Sequence, residues 1–404
     1  MSIKNKIIYF CATSALLLDG LAYTTHGMKI TLSRVFSIAF AIVLLAKALK
    51  NNKLRIGGRS GVLLFIWLML SLAVDLFYAS EIPTVHHWIN LAIGVIWFYA
   101  IVNLNLDWEK LQRTTVAVGA VIGSLSVLAL CARAVSYDPL GITDYLAPRV
   151  VDLYRLVMFS WEPNIFGTII AVALILILPK VQQSPKRYGL IWLSLLITLI
   201  GTLSKGPWVA FIIGLTIYAV ISRARRIMIF DMVMLYAIII IASLVVLSSN
   251  STIESSIIRP ENVTVRLMQD QKALVDIRRA PLFGHGTFSF GDIWPYLNYR
   301  FGDHQMNAAW ISQAMLGVLH DTGIVGLIFM LGFWINLMFS GIRSIESSRR
   351  AICLQKLRFM SAALAAGFIL LAEDWVTTLY ALPVYWAVMG IVAMIPFWAS
   401  ERSA

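Results

Sequence analysis

The chain has 404 residues, 59% of them hydrophobic and only 13% charged, with a mean hydropathy of +0.79. Apolar runs recur along its whole length, which excludes a soluble or disordered class and indicates an all-α, polytopic membrane protein. Its formal net charge of +12 suits nucleic acid by total alone, but most of the charge sits in short loops between apolar runs, so it reads as membrane orientation and no nucleic-acid partner is expected.

About twenty apolar residues cross a bilayer as a helix, and twelve stretches qualify. They lie near residues 7–24, 30–47, 60–78, 85–104, 112–134, 164–181, 187–204, 207–222, 227–248, 323–341, 358–374 and 376–398. The first follows Lys4 and Lys6 like a signal peptide, but Asp19 lies inside it and further spans follow, so an uncleaved first helix is expected. Cys11 and Cys131 fall in spans and Cys353 in a loop, which implies no disulfide framework. The implied organisation is nine spans over 1–248, a large outer loop over 249–322 and three spans over 323–404.

With both termini cytoplasmic, the inner loops hold most of the 33 Lys and Arg residues, as the positive-inside rule requires. Those on the outer side run against that bias and need another reason. Among them are Lys205, Arg266, Arg278, Arg279 and Arg300.

Two outer segments carry most of the complex polar sequence. In residues 135–163, the Arg149, Asp152 and Arg155 spacing suits a helix lying on the outer membrane interface. The segment from 249 to about 322 is too long to be structureless. Within it, NVTVRLMQDQKALVDIRRAP reads as a helix with Leu267, Met268, Leu274, Val275 and Ile277 on an apolar face. Arg266 with Asp270 and Lys272 with Asp276 form i,i+4 pairs on the polar face. Asn262 or Thr264 would cap the helix and Pro281 would stop it.

The stretch PLFGHGTFSFGD has the spacing GxGxxxxG and no strand before it, so it reads as a glycine turn ending that helix, not as a nucleotide fingerprint. The six histidines are dispersed and no HExxH or GxSxG occurs, so neither a metal site nor a serine-nucleophile elbow is indicated, and no cofactor is expected. What remains is a set of outward cations with His304, His320, Glu162, Asp321, Glu373 and Asp374. A single loop arginine is most often just a solvated charge. Lys205 differs, because GTLSKGPW leaves its ammonium at a tight joint between two spans, where a charge is costly and marks function by default. Outward cations at a membrane surface suit a lipid-linked phosphate.

Four motifs in order resemble the O-antigen ligase and O-antigen polymerase superfamily. FSWEPNIFG resembles its span-opening Pro-Asn motif, which brings in Glu162 and Asn164, and TLSKGPWVA its Ser-Arg-Gly joint. VRLMQDQKALVDIRRAPLFGHGTFSFG resembles its arginine-led outer helix and glycine turn, and SQAMLGVLHDTGIVGL its closing motif. The resemblance covers most of residues 155–400. It implies a GT-C-like membrane glycosyltransferase, metal-independent, on the outer face of the bacterial inner membrane. The donor would be an oligosaccharide on undecaprenyl diphosphate, and the acceptor a carrier-linked glycan or a lipid A core. Membrane lipid and polysaccharide assembly proteins are the other implied partners. By position, Lys205 and Arg266 would bind the diphosphate, with Arg279 as a further cation.

Lys205 stands where the superfamily has arginine, keeping the charge but losing the bidentate fork. The superfamily's histidine position falls on Ser312 and its asparagine position on Gln313. That leaves His304, and His320 with Asp321, as substitute catalytic candidates, and tilts the reading toward a polymerase over a core ligase. A transporter or flippase is the main rival class, although no internal repeat supports it. A non-catalytic scaffold has no use for the outward cations.

Overall fold

The computed structural model describes residues 22–25, 28–31, 55–78, 85–104, 106–135, 146–147, 155–156, 162–223, 260–294, 298–301, 304–307 and 311–401, with isolated helical positions between 38 and 46. The protein is a helical, multi-pass membrane protein. Helix α1 spans Gly58–Tyr78, α2 Val85–Asn103, α3 Trp108–Ala134, α4 Pro163–Gln183, α5 Pro185–Gly201 and α6 Lys205–Ser222. After these come α7 Pro260–Arg279, the short α8 Phe290–Ile293, α9 Ala314–Ser348, α10 Leu354–Glu373, α11 Pro383–Ala393 and α12 Ile395–Ser400. Among the described residues seven helices are long and apolar enough to cross a membrane, counting α11 and α12 as one, and α2 supplies a shorter apolar stretch.

Nine of the twelve predicted spans coincide with these helices. The stretch 227–248 lies outside the described residues, as do most of 7–24 and 30–47. Where the last two are described, residues 38, 39, 41, 42 and 46 are helical as expected, while at 22–31 a hairpin departs from the expectation: β1 (Ala22–Thr25) pairs antiparallel with β2 (Met28–Thr31). The threonines and the β-branched Ile30 in these two short runs favour strand over helix. Two further hairpins pair β3 (Leu146–Ala147) with β4 (Arg155–Leu156), and β5 (Asn298–Phe301) with β6 (His304–Asn307). Arg155 therefore lies in a strand, not in the expected interfacial helix. Its neighbour Leu156 is buried against Gly201, where a Cβ would come within 2.7 Å of it.

Proline sets several helix starts. Pro163, Pro185 and Pro383 each stand in the first turn, where a missing N–H costs nothing. Pro383 also explains why α11 begins later than the expected residue 376, with 375–382 forming a turn. Helix α4 is the central post, with 89% of its apolar window buried, packed by α3, α5, α6 and α10. Helix α9 runs along α1, and α11 along α2.

Helix α9 begins nine residues before the predicted residue 323 and is broken at Gly323, which has φ 64° and ψ −169°. The break frees backbone groups, and the glycine turn after α7 satisfies them. The amides of Ile324 and Val325 donate to the carbonyls of Pro281 and Leu282, at 2.9 and 3.3 Å. In return the amides of His285 and Gly286 donate to the carbonyls of His320 and Asp321, both at 2.9 Å. The approach is too close for any side chain: a Cβ on Gly323 would lie 2.2 Å from the Leu282 backbone, and one on Gly284 would lie 2.5 Å from the His320 carbonyl oxygen.

Candidate active site

The starts of α4, α6 and α9, the end of α10, and α7 all meet at one end of the bundle. Helix α7 presents an unexpected face to it. Val265, Gln269, Ala273 and Asp276 are buried, while Leu267, Leu274 and Val275 are exposed. The predicted apolar face therefore points outward, and a mixed polar face points into the protein. Buried hydrogen-bond partners decide this rotation, since the inward polar groups all find them.

The first cluster centres on Glu373, the last residue of α10. It is 1% exposed, its Oε1 accepts a hydrogen bond from Thr377 Oγ1 at 3.3 Å, and its Oε2 has no hydrogen-bond partner among the described residues. Gly206, at the joint between α5 and α6, lies directly against it, so that a Cβ there would be 2.7 Å from either carboxylate oxygen. Arg266, Glu162 and Asp374 lie within electrostatic reach. Asn164 Nδ2 donates to Glu162 Oε1 at 2.8 Å, so the start of α4 holds that second carboxylate in place. Four segments singled out in the sequence thus meet around one glutamate.

Arg266 is half-buried and makes no ion pair among the described residues. One turn on, Asp270 accepts from Gln313 Nε2 at 3.2 Å. Burial pushes the Asp270 carboxyl above its ordinary range, against the opposing pull of Arg266. Ser312 Oγ donates to Gln269 Oε1 at 2.9 Å, and Thr378 Oγ1 donates to the carbonyl of Ser312 at 3.2 Å. The Ser-Gln pair at 312–313 therefore fastens the start of α9 to α7, one turn from Arg266. Lys205 opens α6 with an exposed side chain and no ion pair among the described residues. The joint before it is tight: Leu203 has φ 49°, and Trp208 Nε1 donates to the carbonyl of Leu199 at 2.9 Å.

The second cluster lies further along α7. His320 is fully buried, with Nδ1 3.0 Å from Asp321 Oδ1 and Nε2 3.6 Å from Asp276 Oδ2. Asp276 also accepts from Trp294 Nε1 at 2.6 Å and lies 3.8 Å from Arg279 Nη1. Asp321 accepts from Tyr380 OH at 3.2 Å and from the amide of Phe288 at 3.0 Å. Burial opposes the charge on Asp276, but hydrogen bonds from His320 and Trp294 and the neighbouring imidazoles outweigh it and hold the carboxyl below its ordinary range. The predicted Lys272–Asp276 pair does not form. Asp276 is engaged elsewhere, and Lys272 Nζ sits 4.4 Å from the centre of the Trp294 ring.

Of the residues predicted from sequence, Glu162, Asn164, Arg266 and Ser312 fall in or beside the first cluster, and Lys205 adjoins it through Gly206. His320, Asp321 and Arg279 belong to the second. His304 opens β6, paired with Phe301 in a hairpin between α8 and α9. Sequence reasoning noted Glu373 and Asp374 only as neighbours, and missed Gln269 and Tyr380. The available signal was AEDW, two adjacent acids closing an apolar span. Among known families, residues 189–331 match the family model described as O-antigen ligase, which supports the resemblance to the O-antigen ligase and polymerase superfamily. A comparison with curated proteins finds no match.

Proposed function

Taking the O-antigen ligase and polymerase superfamily as its family, we propose that this chain transfers a glycan from undecaprenyl diphosphate to a carrier-linked glycan acceptor at the outer face of the inner membrane. The observation that carries the reading is Oε2 of Glu373, which has no hydrogen-bond partner among the described residues and is buried beside Gly206 with Arg266 in electrostatic reach. A buried carboxylate oxygen with no partner is costly, and a general base needs such an open position for the proton it takes.

In this mechanism the acceptor hydroxyl attacks the anomeric carbon of the donor sugar and passes its proton to Glu373 Oε2. The new bond joins the anomeric carbon to the acceptor oxygen, and the bond to the diphosphate oxygen breaks. Negative charge builds on the departing diphosphate, and Arg266 and Lys205 stabilise it as fixed cations. Glu162, held by Asn164, orients the acceptor. Ser312, at the superfamily's histidine position, positions α7 through Gln269. The buried His320–Asp321 pair acts as a positioning unit, because neither ring nitrogen is exposed.

Arg266→Ala and Lys205→Ala in a deletion strain test this reading through a gel of surface polysaccharide. Losing the Arg266 stabiliser is expected to cut transfer about 100-fold, and losing the exposed Lys205 about 10-fold. Loss of long chains with single repeats retained indicates the polymerase. Loss of all attached repeats indicates the ligase, with lipid A core as acceptor. Normal product at normal protein level overturns the assignment, and a phenotype in uptake or export alone returns the chain to the transporter class.

A further inference from the structure

At the opposite end of the bundle a cavity of about 420 Å³ opens between the start of α1, the end of α2, the middle of α9 and the α11–α12 junction. Arg55 and Arg59 line it, together with Ser60, Asn336, Ser340 and Phe397, over an apolar floor. Among the described residues, none that lines it is acidic. The volume is that of a site for a small ligand or a headgroup, not of a packing defect.

The segment that carries the arginines is held in place. Arg55 N donates to Asn103 Oδ1 at 2.9 Å, and Asn103 Nδ2 donates back to the Arg55 carbonyl at 2.8 Å. The Arg55 guanidinium lies 4.6 Å from the centre of the Phe397 ring, which fixes the plane of its donors. Gly57 makes the bend with φ 82°, and a Cβ there would press on Phe98 at 3.2 Å. Ser60 Oγ donates to Asn336 Oδ1 at 3.1 Å, which engages the amide oxygen and leaves the amide NH₂ as a donor. Cationic and neutral donors around an apolar floor, with no acid, form a receptor for an anion that carries an apolar tail. Helix α1, an apolar membrane-crossing helix, starts at Gly58, so the two arginines stand at the level where headgroups lie.

We propose that this cavity seats the phosphodiester headgroup of an anionic membrane phospholipid, with Arg55 and Arg59 on the phosphate. The cavity exists before the lipid arrives, so little ordering cost opposes binding. The assignment is independent of the glycan chemistry at the other end.

The full-length protein in detergent can be tested by native mass spectrometry and thermal unfolding with phosphatidylglycerol, phosphatidylcholine or inorganic phosphate. Phosphatidylglycerol should bind and raise the unfolding temperature, while phosphatidylcholine should not. Each arginine near an anionic surface is worth about a fivefold change in affinity, so Arg55→Gln with Arg59→Gln should weaken phosphatidylglycerol about 25-fold. Retention of the preference by that double variant overturns the site. Equal stabilisation by inorganic phosphate overturns the lipid as the source of the phosphate. Ser340→Phe fills the cavity from α9 without altering either arginine and should exclude the lipid. If the double variant does not fold, continued binding to Ser340→Phe is the overturning result.

Discussion

Two carboxylate clusters at the same end of the bundle are built from the same parts and are spent differently. Around His320 every acid is engaged: Asp276 by Trp294, Arg279 and the imidazole, and Asp321 by His320, Tyr380 and a backbone amide. Around Glu373 one oxygen is left open and the nearby arginine is held at electrostatic range without closing on it. Among the described residues His320 Nε2, 3.6 Å from Asp276, has no hydrogen-bond partner either, but every acid of that set has one, and a buried network whose acids are all partnered fixes geometry. A partly satisfied one costs stability and is retained where chemistry needs the vacancy. The His320 cluster therefore fixes α7 on α9, and the Glu373 cluster faces the reaction.

The comparison breaks most sharply at Glu373 itself. Glu373→Gln keeps the shape and removes the base, so transfer should fall about 1,000-fold, near 4 kcal/mol in the barrier. The unfolding temperature should stay within a few degrees, because an unpartnered carboxylate contributes little to lose. Single-turnover transfer with a lipid-linked donor, run beside thermal unfolding, checks both. Full activity in this variant would remove Glu373 from the chemistry.

Asp276→Ala should show the reverse. Removing one member of a buried charged set leaves the others uncompensated, which costs about 3 kcal/mol. The expected result is a lower unfolding temperature, with residual transfer recovered at low temperature. A variant as stable as the parent but inactive would move the second cluster into the reaction.

Smaller effects belong to Lys205, whose exposed ammonium has no ion pair among the described residues. Lys205→Ala is expected to weaken donor use about 10-fold more than Lys205→Arg, which keeps the charge at the joint and should leave transfer near the parent level. Initial rates at several donor concentrations distinguish the two. Equal loss in both would mean that the joint needs the lysine's shape, not its charge.

Hydropathy made the spans legible from sequence, because burial in lipid requires long apolar runs. Nine predicted stretches became helices for that reason. The outer parts were less legible. The apolar residues of α7 pointed the sequence reading to one face, yet Gln269 and Asp276 won the inside because His320, Trp294 and Ser312 await them there. Such partners come from distant segments and leave no local periodicity. Glu373 was visible only as an acid at the end of a span; its closeness to Gly206 and Arg266 depends on how α6, α7 and α10 meet. Lys205 and Arg266 were legible because charge at a membrane surface is informative without a fold.

The mildest test is acid. Asp276 is held below the ordinary carboxylate range, so its folded value lies under the unfolded one of about 3.9. The stability it contributes is complete above about pH 4 and is lost as the pH falls through the folded value. Comparison with Asp276→Asn isolates this contribution, since the variant lacks only that carboxylate. Its deficit relative to the parent should narrow between pH 4 and pH 3, as the parent loses what the variant never had. Parallel curves over that interval would mean that the Asp276 carboxylate is not what fastens α7 to α9.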